Sequence, residues 1–382
     1  MEGKPMLALV EMPMTDWSRK AEEVAAAVAS HAAEHDADDS FVKEGFAALE
    51  EAGFFTALVP EELGGGGASI DEICNALRII GAACGSTALA ASMHSHIVAV
   101  AAWRWQYQNA PTDALLKRVV AENLKLVSSG GSDWLKSAGT MEKVEGGYKL
   151  TARKAFASGS TVGNILNTSA VYDDPVDGPT VLHFGAPLKG EGVRIEPTWQ
   201  VMGMRGTGSD DVVFDGLFIP DAAIAGKRPQ GQWHMLFHII SKIAFALIYS
   251  AYVGVAEGAR NRAVEMAKKR PADPMLAQLV GEMENELLRS RLAHRRMIDI
   301  AETAEPGPET TSEAMACRTL VGQAAIATVS KAMEVAGGSA FYRKSGLERA
   351  FREVQAARFH PMQEKPQLDL AGRVALGWDI NG

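Results

Sequence analysis

Cysteine is scarce in this chain: three residues in 382, at Cys74, Cys84 and Cys317, too few and too widely spaced for a disulfide framework or a metal-ligating set. They read as buried thiols in a reducing compartment. Basic charge is also limited. Lysine and arginine total 38 against 47 acidic residues, a formal charge of −9, and nowhere do they gather into the stripe that a nucleic-acid partner requires. Residues 1–17 carry Glu2, Glu11 and Asp16 and lack the basic-then-apolar layout of a secretory signal, so the expected location is the cytoplasm. No internal repeat or low-complexity tract interrupts the chain. One long apolar run does occur, Met235 to Val255, long enough to span a bilayer. Lys242 lies inside it, however, and Glu257, Arg260, Arg262 and Glu265 continue the same helical run. The expectation is a helix buried in a soluble bundle, without a membrane partner.

What is present is ordinary globular material, 47% apolar and 22% charged, in a chain long enough for two or three domains. Residues 17 to about 122 read as helical, and the helix from Phe41 to Ala52 is expected to stop at Gly53, which takes positive φ without steric cost. From about Leu124 to Gly226 the pattern becomes short alternating runs divided by Gly146-Gly147, Asn164 and Gly178-Pro179, the signal of strands and hairpins. Helical periodicity returns after Gln232, with Leu276, Leu279, Met283 and Leu287 on one face and helical runs at about 233–268, 275–303, 313–336 and 344–358. The expected fold is α+β and multidomain: an N-terminal α-helical domain (1–122), a middle β-sandwich or barrel domain (123–230) and a C-terminal antiparallel four-helix bundle (231–382).

Several motifs follow one another in this frame. They are Gly53-Phe54-Phe55 with Val59-Pro60-Glu61-Glu62-Leu63-Gly64-Gly65, Gly85-Ser86-Thr87-Ala88-Leu89-Ala90, Met202-Gly203-Met204-Arg205-Gly206 with Phe214-Asp215 and Ile219-Pro220, Gly337-Gly338, and Leu347-Glu348-Arg349 with Arg352-Glu353. In this order they resemble the acyl-CoA dehydrogenase superfamily over essentially the whole chain. Taken alone, the four-glycine loop at 64–67 is as compatible with a plain connection, since it lacks the strand-to-helix context and lysine of a P-loop. Gly337-Gly338 could equally be a helix C-cap. The resemblance implies a flavin cofactor and a homotetramer, with Gly337, Gly338, Arg270 and Gln278 near the cofactor of a neighbouring subunit, and Ser129, Ser132, Phe156 and Ser158 on the flavin. The segment between Arg270 and Gln278 is shorter than the family's and lacks its usual Phe, which leaves FAD and FMN both open.

The dehydrogenases of this family need a carboxylate base within reach of the substrate α-proton. Aligned from Arg352-Glu353, the position of that glutamate is Pro361, and the alternative position on the first bundle helix is Ala244; Glu364 is the nearest replacement. Other substitutions resemble the branch of two-component flavin monooxygenases, which take reduced flavin from a separate reductase. Lys154-Ala155-Phe156-Ala157-Ser158-Gly159 and Arg205-Gly206-Thr207-Gly208-Ser209 are similar to that branch's Phe-x-Ser-Gly and Arg-Gly-Thr-Gly-Ser segments, and His360 and His94 match histidines of dibenzothiophene monooxygenase-like enzymes. In such enzymes reduced flavin and O2 form a C4a-hydroperoxide that oxygenates an electron-rich substrate, and the protein must exclude water and supply a donor.

The resemblance therefore makes His360, Ser158 and His94 the catalytic candidates, with His96, Trp134 and Phe245 lining a pocket for a small apolar or aromatic, indole-like molecule. Each has a plainer alternative. Ser158 can be a turn residue, His94 and His96 satisfied core histidines, His360 a helix terminator, and the tryptophans packing. The rival functions are an acyl-CoA dehydrogenase with a displaced base and a non-catalytic flavin- or ligand-binding member of the fold.

Overall fold

A computed structural model describes residues 16–382. The acidic first fifteen residues, and the side chain of Ser132, lie outside the described part. Six helices come first: α1 (Asp16–Val28), α2 (Ala32–Asp38), α3 (Lys43–Glu51), α4 (Ile70–Ala83), α5 (Gly85–Gln108) and α6 (Asp113–Ala121). α3 ends as its sequence demands, with Gly53 in the left-handed region at φ 81°. α4 starts on a capping box in which the Ser69 hydroxyl accepts from the Glu72 amide (3.2 Å) and the Glu72 carboxylate accepts from the Ser69 amide (2.9 Å), satisfying two otherwise orphaned donors. The four-glycine loop is packed rather than open: a Cβ on Gly65 would fall 2.2 Å from the Val59 carbonyl oxygen, so this loop has no room to cradle a phosphate.

Eight strands follow: β1 (Leu126–Ser128), β2 (Thr140–Val144), β3 (Gly147–Lys154), β4 (Ile165–Asp174), β5 (Gly178–Pro187), β6 (Val193–Glu196), β7 (Asp211–Pro220) and β8 (Ile224–Pro229). They form one mixed sheet in the order β6-β7-β3-β2-β4-β5-β8, with β1 added parallel to β4. Most pairings are antiparallel, as tight turns at Gly146 and Gly178 dictate. Alternate residues such as Leu150, Ala152, Leu166, Ala170, Leu182 and Phe214 turn inward to enclose a core separate from that of the helices.

The C-terminal helices are α7 (Met235–Ala267), α8 (Pro274–Thr303), α9 (Pro308–Ala336), α10 (Leu347–Val354) and α11 (Glu364–Leu376). Asp273 caps α8, its carboxylate accepting from the Met275 amide at 3.0 Å, and Pro274 occupies the first turn, where a missing N–H costs nothing. α7 is the one helix among the described residues long and apolar enough to cross a membrane, and 94% of that window is buried inside the fold. Its apolar surface packs against α4, α5, α8 and α9. At Gly254 the α4 backbone comes so close that a Cβ would fall 2.3 Å from the Arg78 carbonyl oxygen. The fourth bundle run, expected at 344–358, is shorter than its periodicity suggests. α10 has eight residues, a 3₁₀ turn at Gln355–Arg358 follows, and α11 is a further helix that the sequence reading left unassigned.

Candidate active site

Three loops meet where the sheet abuts the helices: 129–134 after β1, 155–159 after β3, and 358–362 after α10. A buried ion pair fixes the first two. Lys154, the last residue of β3, is fully buried and donates to both carboxylate oxygens of Asp133 (2.7 and 2.8 Å) and to the carbonyls of Ala138 and Ser169 (2.5 Å each). Burial pulls the Lys154 ammonium below its ordinary value, opposed by the Asp133 charge. Asp133 also accepts from Thr168 Oγ1 (2.7 Å), from the Ala138 amide (3.0 Å) and from Ser129 Oγ. The Ser129 hydroxyl is therefore engaged inside this network, and only its main chain remains to offer a ligand.

The loops are interlocked by close backbone approach. The Gly130 amide donates to the Ala155 carbonyl (3.0 Å), and a Cβ on Gly130 would meet that of Phe156 at 2.7 Å. Phe156 itself is in the left-handed region, φ 59°, yet the residue is 55% exposed, its ring edge-on to that of Trp199 at 5.6 Å. A non-glycine held at positive φ with its aromatic ring presented outward is the kind of strain that clusters at ligand sites. Ser158 is buried, its hydroxyl 2.7 Å from that of Ser209, which in turn lies 2.7 Å from that of Thr207. Gly131 brings the first loop near the third: a Cβ added to it would lie 3.7 Å from Pro361 Cδ.

His360 sits in that third loop with its Nε2 2.5 Å from the Tyr252 hydroxyl. Burial, then the Arg318 charge, then His96 hold its imidazole down to a pKa of about 3, so the ring is neutral at physiological pH. From it a row of aromatic rings runs through the molecule. Tyr252 and Tyr249 both lie edge to His360 (5.5 and 6.0 Å between centroids), Phe245 follows Tyr249 at 6.3 Å, and Trp134 meets Phe245 at 6.1 Å and Phe237 at 4.8 Å. His360, Phe245 and Trp134, separate candidates in the sequence, thus belong to one row of ring contacts. Trp134 Nε1 is buried with no hydrogen-bond partner among the described residues.

The two histidines of α5 are placed differently. Nδ1 of His94 accepts from the Leu126 amide (3.0 Å) and Nε2 donates to the Phe55 carbonyl (2.7 Å). With both nitrogens taken by main chain, His94 ties α5 to β1 and leaves nothing for a ligand, which is the satisfied core histidine of the plainer reading. His96 donates from Nδ1 to the Ser92 carbonyl (3.1 Å), and its Nε2 lone pair is bonded to nothing among the described residues. Burial lowers both rings to a pKa of about 4.

The remaining candidates lie elsewhere. Arg270 Nη1 donates to the Val335 carbonyl at the end of α9 (2.9 Å), beside Gly337 and Gly338, where an added Cβ would meet no atom within 4 Å. Gln278 is exposed on α8. Arg318 and Val335 are about 17 residues apart on α9, roughly 25 Å at 1.5 Å per residue, so a single chain does not bring this group to His360. Of the positions where a dehydrogenase base is expected, the one on α7 is filled by Ala244, a buried core residue without a proton-accepting group, and the nearby Glu364 accepts from Gln323 Nε2 at 3.3 Å. The sequence reading missed Tyr249, Tyr252, Arg318 and the Lys154–Asp133 pair. The first two had a signal, since Phe245, Tyr249 and Tyr252 repeat at i, i+4 and i+7 and so share one face of α7.

N-terminal helices, a central mixed sheet and a C-terminal helical bundle, with loops of sheet and bundle meeting around His360, define the acyl-CoA dehydrogenase superfamily, and the chain belongs to it. Residues 18–109 match the acyl-CoA dehydrogenase N-terminal domain and residues 246–365 its C-terminal domain. Among individual relatives, the putative acyl-CoA dehydrogenase YdbM of Bacillus subtilis is 27% identical across 90% of this chain and 92% of its own length. The oxygenase subunit HsaA of a flavin-dependent monooxygenase of Rhodococcus jostii is 28% identical across 82% of this chain and 85% of its own. The X-ray structure of a KijD3 in complex with FMN and a dTDP-linked amino-keto sugar superposes with a TM-score of 0.87 at 27% identity, over 96% of this chain and 95% of that one.

Proposed function

We propose that this protein is the oxygenase component of a flavin-dependent monooxygenase, taking reduced FMN or FAD from a separate reductase and acting on a small, largely apolar or aromatic molecule. The observation that carries this reading is the group at the base position. Where a dehydrogenase needs a carboxylate, the chain has Pro361 preceded by a neutral imidazole on a neutral phenol, His360 on Tyr252. Kinship with HsaA supports it; kinship with YdbM keeps the dehydrogenase as the second reading.

The residues present fit a flavin. Phe156 offers an exposed ring on a strained backbone, Gly337 and Gly338 border open space, and the Nε2 of His96 is unengaged. In this reading Phe156, Ser158 and the main chain of 129–131 hold the isoalloxazine, and Gly337, Gly338, Arg270 and Gln278 of a second copy hold the distal end. When bound and reduced, the flavin supplies the electrons that activate O2. The protein's own part is to exclude water with the aromatic wall, orient a planar substrate against Trp134 and Phe245, and move a proton at His360. A ring held neutral suits that task as a relay, one nitrogen giving a proton while the other takes one, so that the imidazolium disfavoured by burial and by the Arg318 charge need not form.

The test is stopped-flow mixing of photoreduced flavin and protein with O2. Reoxidation in two well-separated phases, unlike the behaviour of free flavin, is expected, with oxidised flavin only weakly retained on purification. Stoichiometric FAD that an acyl-CoA bleaches anaerobically would establish the dehydrogenase instead.

A further inference from the structure

A cation is buried behind His360. Arg318 on α9 is 2% exposed, and it pairs with no carboxylate among the described residues. Its Nη2 donates to the carbonyls of Ala357 (3.2 Å) and of His360 itself (2.6 Å), its Nε–H meets no acceptor among the described residues, and its guanidinium lies 5.3 Å over the ring of Tyr249. The Tyr249 hydroxyl donates to the same Ala357 carbonyl (2.6 Å). Removing a guanidinium from water without a counter-charge is costly. A device needed only to anchor two carbonyls could be a neutral amide, so the charge itself calls for an explanation.

Tyr252 supplies the other half. It is fully buried, and burial raises its phenol well above the ordinary value, so it keeps its proton. Nε2 of His360 is its one hydrogen-bond partner among the described residues. Were Nε2 to carry the ring proton, the phenol hydrogen would be buried with no acceptor, at the desolvation cost of an unsatisfied donor. The arrangement that satisfies both groups has Tyr252 donating and Nε2 accepting, which puts the ring proton on Nδ1.

We infer that Arg318 and Tyr252 are positioning residues for His360: Arg318 holds the loop by the His360 carbonyl and sets its charge environment, while Tyr252 fixes the tautomer with Nδ1 as the proton-bearing nitrogen. The inference rests on the reading of His360 as the working acid–base group. The groups that face the imidazole are Tyr249 and Tyr252 from α7, Arg318 from α9 and His96 from α5. The one fixed charge among them is positive, and it opposes protonation of the ring.

The experiment is a pH titration of ¹⁵N-histidine-labelled full-length protein without flavin, with the His360 resonances assigned from the His360→Gln spectrum. Expected for the wild type is a single Nδ1–H tautomer that stays neutral to pH 5. In Tyr252→Phe the tautomer preference should be lost or reversed. Arg318→Gln keeps an amide donor for the carbonyls but removes the charge, and should raise the His360 pKa by about one unit or more; Arg318→Lys keeps the charge and should leave it low. A wild-type ring that is Nε2–H, or that protonates near its ordinary value, overturns the inference without any variant. So does an equal response of the Gln and Lys variants, which would mark Arg318 as an anchor alone. Because these spectra need no turnover, they fail independently of the functional reading, which instead falls if His360→Ala forms product at the wild-type rate.

Discussion

His94 and His96 stand two positions apart on α5, about 200° around its axis at 100° per residue, so they cannot serve the same neighbour. His94→Ala would strand the Leu126 amide and the Phe55 carbonyl in the interior, at about 1–3 kcal/mol for an unsatisfied group. Thermal unfolding should register that loss, while turnover per folded molecule stays near normal. His360→Ala is expected to do the reverse. Its ring has one side-chain hydrogen-bond partner among the described residues, and general acid–base assistance is typically worth about 10²–10⁴ in rate; product formation should fall by that order with little change in melting temperature. Measuring both quantities on one preparation distinguishes the catalytic role from the helix-terminating one. Ser158→Ala removes one end of a hydroxyl chain through Ser209 and Thr207, and is expected to raise hydrogen peroxide formation relative to product. Equal peroxide yield in wild type and variant would remove Ser158 from the site.

At the level of elements, the Lys154–Asp133 pair joins the end of β3 to the loop after β1 and thereby sets the platform under Phe156 and Ser158. Lys154→Met should destabilise the fold by about 3–5 kcal/mol, because breaking a buried pair from one side leaves a carboxylate uncompensated. Replacing both residues together by apolar ones should recover much of that loss in a denaturant titration, which a role for Lys154 as mere apolar filler does not predict. This pair also shows what a sequence withholds. The order of helices and strands was legible because it is written locally, in the period of apolar residues and in turn residues such as Gly53, Gly146 and Gly178. Lys154 and Asp133 are each unremarkable in their own segment and meet only because β3 pairs with β2, β2 with β4 and β4 with β1 in one sheet. His360 was found through a motif, but its partners Tyr252 and Arg318 lie on helices whose apolar runs read as core. The Phe245–Tyr249–Tyr252 stripe was visible in principle. Core packing and a pocket wall follow the same period, so the pattern alone did not distinguish them.

Across the whole molecule, the proposed flavin contacts fall into two groups separated along α9, one around His360 beside Arg318 and one at Arg270 and Gly337–Gly338 at its C-terminal end. Next to the second group Phe341 and Tyr342 are 87% and 64% exposed. An assembly in which a second copy covers that end would complete the site, and sedimentation should give a dimer or tetramer mass; a monomer that still binds reduced flavin tightly would count against it. Stability should also depend on pH in a particular window. Burial is the largest cause depressing seven of the nine histidines, among them His183 and His360 to about 3 and His94, His96 and His294 to about 4. The unfolded chain therefore binds more protons than the folded one below the ordinary imidazole value. This contribution is whole above about pH 6.5 and is lost as the pH falls toward those folded values. The melting temperature should be level from pH 8 to 7 and decline from about 6.5 downward, before carboxylates begin to titrate; a level profile down to pH 5 would contradict these burial effects.

Those withdrawn imidazoles have an experimental use. Most side chains that ordinarily buffer a protein near neutrality are here held in one state, so the folded chain has little capacity to absorb hydrogen ions silently. Any proton that the site takes up or gives off in a turnover must then come from or go to the surrounding water, where an indicator dye in weak buffer can count it per molecule of product.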